Sequence, residues 1–153
     1  MTEEQLFEQM KMWRGWTVDI LKMIPEEIVD EIPKGLRNNI RWNTGHILAS
    51  WDHTMFPGVG LERQLSLSYH IMFPRGSKPD DWSEKPPSME ELIQKLEEQP
   101  RQIEEACKGH LGGKLAEPFL HMTTLGEMVA FHIAHENLHV GTIKSMKQML
   151  SNR

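Results

Sequence analysis

One uninterrupted stretch, at positions 123–150, constrains the fold of this chain more than any other: TTLGEMVAFHIAHENLHVGTIKSMKQML. Thr124 is followed three residues later by Glu127, the capping-box spacing that marks the start of a helix. No proline follows, and apolar or imidazole side chains recur at helical spacing. These positions are Met128, His132, His135, His139, Thr142, Met146 and Met149. The stretch therefore predicts a long helix whose inward face carries histidines at its centre.

The three central histidines of this face predict a metal site. At about 100° per residue, His132, His135 and His139 lie within roughly 60° of one another around the helix axis. Burying several neutral imidazoles is unfavourable, because each unmet donor or acceptor costs about 1–3 kcal/mol. A bound cation removes that cost by accepting lone pairs from several rings at once. The i, i+4 spacing of His135 and His139 lets both rings reach one ion from the same side of a helix.

Two amphipathic helices are predicted in the first third of the chain. The first begins at Thr2, has Gln5 at the capping-box position and ends at Pro25. Its inward stripe is Leu6, Met10, Trp13, Thr17, Ile20 and Ile24. The second follows the Asn38/Asn39 cap and covers positions 40–56. Its inward stripe is Trp42, His46, Ala49, His53 and Phe56, so imidazoles stand on an apolar face here as well.

The third predicted helix begins after Ser88, which has Glu91 three residues on, and runs to about position 109. Pro100 lies inside the pattern and should kink or interrupt the helix. The inward residues are Met89, Leu92, Leu96, Ile103 and Cys107. We interpret Cys107 as a small core residue, because nothing cationic lies beside it in the sequence to make its thiol reactive.

Long connections separate the second, third and fourth helices. The first contains a short helix within Leu61–Met72 and then the loop FPRGSKPDDWSEKPP, which suits a lid or pocket wall as well as a solvated connector. His70 is expected at the surface or at a pocket rim. The second connection, Gly109–His121, is expected to be a loop because it contains Gly112, Gly113 and Pro118.

These elements predict an all-α, four-helix bundle forming a single domain over positions 1–153, with roughly 60–70% helix. Metal sites in such bundles are built from side chains that project inward on facing helices. The fourth helix would therefore take its remaining ligand from the second, which offers His46 or His53. The spacing of the sequence alone leaves that choice open.

Composition excludes several classes of partner. The net charge is −5 and no Lys/Arg cluster is present, so we expect no nucleic-acid partner and no anionic membrane surface. No apolar run has the length of a membrane span, and the acidic N-terminal residues are not those of a signal peptide. Cys107 is the only cysteine, which indicates a reducing compartment and a cytoplasmic location.

The segment His135–His139 reads HENLH and matches H-E-x-x-H, in which two histidines bind zinc and the glutamate is a general base. The surrounding sequence does not favour a protease. No His, Asp or Glu follows His139, and the downstream Gly and His of the extended motif are replaced by Thr142 and Ser145.

Two motifs resemble those of the DinB/YfiT-like superfamily of metal-binding four-helix bundles. WNTGHILASWDH contains its "GH" pair at Gly45 and His46, and AFHIAHENLHVGTI contains its H-x-x-x-H-x-G-x-I pattern. The latter falls on His135, His139, Gly141 and Ile143. The resemblance covers the entire chain and implies a divalent metal held by His46, His135 and His139, usually in a homodimer.

The resemblance also implies a reaction class. Members with assigned chemistry are transferases or isomerases that use low-molecular-weight thiols such as bacillithiol or mycothiol, so a thiol-dependent S-transferase acting on small electrophiles is expected. A metal-dependent hydrolase of a small molecule and a non-catalytic metal- or ligand-binding module are the alternatives. Zinc or nickel suits three imidazoles best, while iron, cobalt and manganese are also compatible.

Three further residues near the ligands have candidate roles. Asn43 and Glu136 could orient ligands from an outer layer, and Glu136 would be the general base of a hydrolase; solvent exposure is the plain alternative for Glu136. His132 could hydrogen-bond a substrate, serve as a fourth metal ligand or be a core or rim histidine.

Overall fold

The computed structural model describes residues 1–152 of the chain. Within those residues it is 64% helical, which confirms the predicted all-α class and helix content. The helices are α1 (Glu3–Lys22), α2 (Ile40–Met55), α3 (Leu67–Met72), α4 (Met89–Cys107) and α5 (Leu125–Ser151). An antiparallel hairpin of β1 (Lys114–Phe119) and β2 (Met122–Thr124) lies between α4 and α5.

The helix starts follow the capping chemistry of the sequence. Thr2 and Thr124 each form a complete capping box, and the Ser88 hydroxyl accepts a hydrogen bond from the Glu91 amide. Asn39 begins α2 by accepting the Trp42 amide through its side-chain oxygen, at 2.8 Å. Of the two effects predicted for Pro100, an interruption is not seen, because α4 continues through this residue.

The four long helices form the bundle, and α3 is an addition to the connection between α2 and α4. α2 packs against α5 and α4, and α1 packs against α4 and α5. Two pairs of consecutive long helices, α1 with α2 and α4 with α5, therefore lie diagonally across the bundle from each other. The α2–α5 seam joins residues that are far apart in the chain. No helix in residues 1–152 has the length and apolar character needed to cross a membrane.

The predicted inward faces of α1 and α5 were partly wrong, although Met10, Thr17, Met128, His132 and Met146 are buried as predicted. In α1, Phe7 and Arg14 are buried where Leu6 and Trp13 had been expected to face inward. In α5, Glu136 is buried, whereas Thr142 and Met149, both predicted to face inward, are exposed. A buried ion pair explains both shifts, since burying a charged group requires a charged partner and complete hydrogen bonding.

Arg14 and Glu136 form that ion pair at the centre of the bundle. Arg14 Nε and Nη2 donate to Glu136 Oε1 and Oε2, each at 2.9 Å, in the two-pronged geometry that suits a guanidinium and a carboxylate. Thr17 donates its hydroxyl to Oε1 at 2.7 Å, and Trp51 donates its indole N–H to Oε2 at 2.8 Å. The carboxylate thus accepts four hydrogen bonds from α1 and α2.

The network also includes α4. Arg14 Nη1 donates to the Leu96 carbonyl and to Gln99 Oε1, both at 3.1 Å. Gln99 in turn donates to the Leu48 carbonyl of α2 at 3.0 Å. One buried set of hydrogen bonds therefore connects all four long helices.

The connection between α4 and α5 differs from its prediction. Positions 109–121 were expected to be a loop, but Lys114–Phe119 forms β1 and turns at Leu120 and His121 into β2. The segment lacks the β-branched alternation that indicates a strand, and its two turn residues are not Asn-Gly. The hairpin is held at its base, where the Leu125 and Gly126 amides donate to the Gly113 and Leu111 carbonyls.

The ion pair yields a stability prediction. Arg14→Met leaves the Glu136 carboxylate buried without its counter-charge, so we expect the free energy of unfolding to fall by about 3–5 kcal/mol. Chemical denaturation measures this. Lys22→Met removes an exposed pair with Glu97 and should cost no more than about 1 kcal/mol. Equal losses in the two variants would contradict the central role of the buried pair.

Candidate metal centre

Three histidines converge at the seam between α2 and α5. His46 comes from α2, and His135 and His139 come from successive turns of α5. One ring nitrogen from each lies within 4.8 Å of the others, so the three could hold a metal ion. The Nε2 atom of His135 lies 3.4 Å from that of His46 and 3.2 Å from that of His139.

The opposite ring nitrogens of two ligands are held by hydrogen bonds. His46 donates its Nδ1–H to the Phe73 carbonyl at 2.7 Å, and His139 donates its Nδ1–H to Asn43 Oδ1 at 2.8 Å. Because a neutral imidazole carries one proton, both Nε2 atoms are left with a free lone pair. His135 Nε2 can donate to only one of them at a time, whereas a cation would accept lone pairs from all three.

Asn43 is oriented by its own hydrogen bonds. Its Nδ2 group donates to the Asn39 carbonyl at 2.8 Å and to Asn38 Oδ1 at 3.0 Å. With both donors used, Oδ1 is the atom presented to His139. The predicted outer-layer position of Asn43 therefore agrees with the structure, and such contacts fix the tautomer and orientation of a ligand.

The carbonyl that holds His46 depends on a close approach between Phe73 and α2. A Cβ atom at Gly45 would lie 2.5 Å from the Phe73 ring, so the "GH" pair leaves the space in which Phe73 packs. Phe73 is the first residue of the loop FPRGSKPDDWSEKPP, which the sequence predicted to be either a lid or pocket wall or a solvated connector. This end of the loop lies against the site, since Ser77 accepts the Trp42 indole N–H at 3.0 Å and Trp42 stacks on His46.

The three converging histidines are held neutral. Burial lowers the pKa of His46 and outweighs the opposing hydrogen bond to Phe73, and the nearby His135 adds a smaller decrease. Burial and the two neighbouring rings lower the pKa of His139 to about 3. Burial also lowers the pKa of His135, against the opposing charge of Glu136. Neutral rings keep their lone pairs at neutral pH, as metal ligation requires.

The spacing of the nitrogens fits a small divalent ion. Two nitrogens bound at about 2.0–2.1 Å to one tetrahedral ion lie about 3.3–3.4 Å apart, close to the observed 3.2 and 3.4 Å. Three imidazoles and no carboxylate also suit transition metals better than Mg²⁺ or Ca²⁺, which prefer oxygen ligands.

His132 lies outside this group. Its Nε2 is 2.6 Å from the Thr54 hydroxyl, and its ring stacks against Trp51. Its Nδ1 is buried and has no hydrogen-bond partner in the described part of the chain. Burial, with smaller contributions from nearby rings and Arg14, lowers the pKa of His132 to about 3. The structure therefore places it as a core histidine beside the site.

Glu136 is buried, contrary to the alternative that it faces solvent. Burial opposes its ionisation, but the Arg14 charge and the hydrogen bonds from Arg14, Thr17 and Trp51 hold its pKa below the usual value. All of its hydrogen bonds belong to the central network.

The other histidines of the seam region lie apart from the three. His53 is exposed, with its Nδ1 3.5 Å from Arg63 Nη1. His70 is half-buried and its Nε2 lies 2.8 Å from Asp52 Oδ2. Of the two α2 candidates, His46 and not His53 is the one that faces His135 and His139. Ser50, which the sequence analysis did not identify, places its hydroxyl 3.4 Å from His46 Nε2.

Residues 10–143 match the family model described as the DinB superfamily. The chain belongs to the DinB superfamily. The match includes all three converging histidines and both motifs that carry the resemblance. No curated protein matches the chain. Membership in the DinB superfamily thus agrees with a metal centre whose protein ligands come from α2 and α5.

The geometry predicts one divalent ion per chain. Alanine at His46, His135 or His139 should weaken zinc or nickel binding by more than the roughly 10–100-fold that loss of an outer contact costs. Elemental analysis and competition with a chromophoric chelator measure this. His53→Ala and His110→Ala should bind as the wild type does. Loss of the ion in His53→Ala but not in His46→Ala would contradict the assignment.

The hydrogen bond from His139 Nδ1 to Asn43 Oδ1 gives a separate prediction. Asn43→Ala removes the acceptor of the His139 Nδ1–H, so metal affinity should fall by about 10–100-fold. Asn137→Ala is the matched control, because within residues 1–152 the Asn137 side-chain amide donates only to the Ile133 carbonyl of its own helix, at 2.8 Å. If chelator competition gives the same affinity for both variants, Asn43 does not orient the ligand.

Proposed function

We propose that this protein is a metal-dependent S-transferase that joins a low-molecular-weight thiol to a small electrophile. The convergence of three neutral imidazoles, two of them oriented by outer hydrogen bonds, is the observation that supports it best. Three protein ligands leave at least one position of a four-coordinate ion for a thiol.

The donor set suits thiol activation. His46, His135 and His139 would hold the ion without neutralising its charge, and such an ion would lower the pKa of a bound thiol toward neutrality. The thiol loses its proton to solvent, its sulfur forms a bond to the electrophilic carbon, and the leaving group departs with its electron pair. The Ser50 hydroxyl lies beside His46 Nε2 and could donate a hydrogen bond to a molecule in the site.

Hydrolysis is the less supported alternative because Glu136, its predicted general base, is already engaged elsewhere. Glu136 would serve in that role, yet its two oxygens accept four hydrogen bonds from Arg14, Thr17 and Trp51. A water-activating carboxylate needs an oxygen that can reach the water. The position of Glu136 therefore favours a structural role, in which it holds α5 against α1 and α2.

A purely structural metal is also less supported. Structural zinc sites normally have four protein ligands. His132, the one obvious fourth imidazole of α5, is hydrogen-bonded to Thr54 and is not part of the converging group in the described residues. A homodimer, implied by the family resemblance, stays a prediction that light scattering can test.

The reaction can be tested with zinc- or nickel-loaded protein and a panel of bacillithiol, cysteine, glutathione and coenzyme A. 1-Chloro-2,4-dinitrobenzene serves as the electrophile, with chloride as leaving group. We expect metal-dependent conjugation that is lost in His139→Ala and kept in Leu138→Ala, an exposed neighbour.

Two results would contradict the transferase. Metal-dependent ester or amide cleavage without any thiol would identify a hydrolase. Stoichiometric metal binding, with no conjugation of the electrophile to any thiol of the panel and no thiol-free cleavage, would identify a binding module.

A further inference from the structure

The tip of the β1–β2 hairpin exposes large apolar side chains beside the metal centre. Phe119 is 44% exposed and Leu120 is 67% exposed. The same hairpin is anchored by Leu115 near its base and Met122 next to its turn, which are partly buried and pack against the core. Exposed apolar side chains on an anchored element often belong to a binding surface.

A chain of ring contacts connects this tip to a metal ligand. The Phe119 ring meets Phe131 of α5 edge-on, with ring centroids 5.5 Å apart. Phe131 stacks on His135 with centroids 5.6 Å apart and planes 15° apart. Phe131 is itself half-buried and lies one helical turn before His135. An apolar wall of Phe119 and Phe131 therefore borders the centre on the His135 side.

The centre is less buried on its α5 side than on its α2 side. His46 is buried, whereas His135 and His139 are both half-buried, so a small molecule reaches the three nitrogens past the α5 rings. A molecule bound beside His135 would lie next to the half-buried Phe131, which stacks on that ring.

The turn that carries Phe119 has an uncommon backbone. Leu120 and His121 have φ angles of 46° and 70°, and positive φ at both positions of a two-residue hairpin is usually supplied by Asn-Gly. Non-glycine residues in this region are strained, and such strain is concentrated at functional sites. The tight turn pairs Phe119 with Met122 and holds it over Phe131.

We propose that Phe119 and Phe131 determine substrate specificity by packing against an aromatic or aliphatic group of the electrophile while its reacting atom lies at the metal. This inference rests on the proposed function, since it assigns the substrate class of the same site. The preferred electrophile is then one with an apolar group directly attached to its reactive centre. Small polar electrophiles bind through the metal alone.

Two hydroxamates with the same metal-binding group distinguish the contribution of the Phe119–Phe131 wall to binding from that of the metal. Acetohydroxamate carries a methyl group and benzohydroxamate a phenyl group. Calorimetry on the zinc-loaded protein should give benzohydroxamate about a tenfold lower Kd, or roughly 1.4 kcal/mol. Phe119→Ala and Phe131→Ala should each reduce that ratio to below about threefold, and Phe119→Ala should leave the Kd of acetohydroxamate unchanged. Leu138→Ala, which removes an exposed apolar side chain elsewhere on α5, should keep the full ratio.

The outcomes separate this inference from the proposed function. If both hydroxamates bind but the ratio is near one, or persists in both Phe variants, the wall is refuted and the open metal site stands. If neither binds to protein that holds one zinc, both proposals are overturned. If Phe119→Ala instead abolishes self-association and leaves the ratio unchanged, the tip is a subunit contact and the inference is wrong.

Discussion

The buried ion pair of Arg14 and Glu136 is the constraint on which the rest of the bundle depends. Two charges removed from water must satisfy nearly all of their hydrogen-bonding groups, and here the partners come from every long helix. Each partner limits the rotation of its helix about its own axis. Because Glu136 directly follows His135, the rotation that buries the carboxylate also turns the His135 and His139 rings toward α2.

The metal centre depends on two short chains of contacts within the α2 region. In one, the absence of a side chain at Gly45 lets the Phe73 ring pack closely against α2. The Phe73 carbonyl then accepts the hydrogen bond that orients His46. In the other, Asn39 caps α2 with its side chain and accepts from Asn43 with its carbonyl, and Asn43 holds His139. Residues at the start of α2 therefore also determine which ring nitrogen of His139 carries the proton.

Features with a local cause could be predicted from the sequence, while those created by tertiary packing could not. Helix starts follow capping chemistry within four residues, and the histidine spacing on α5 brought two ligands together. The choice of His46 came from family resemblance, because spacing cannot tell which part of α2 faces α5. The inward positions of Arg14 and Glu136 were not predicted, although the buried residues around each recur at helical spacing as regularly as the predicted ones. Only their pairing across the bundle makes burial favourable. The hairpin had no strand pattern because its base is fixed by contacts to α5.

The centre joins two helices that are distant in the chain. His46 and His135 are separated by 89 positions, so an ion held between them closes a long loop in the manner of a reversible cross-link. Such a cross-link favours the folded ensemble because it restricts the unfolded chain, and its contribution rises with the free metal concentration. Metal supply would then govern the lifetime of the folded protein, including its resistance to proteolysis, as well as any chemistry at the site.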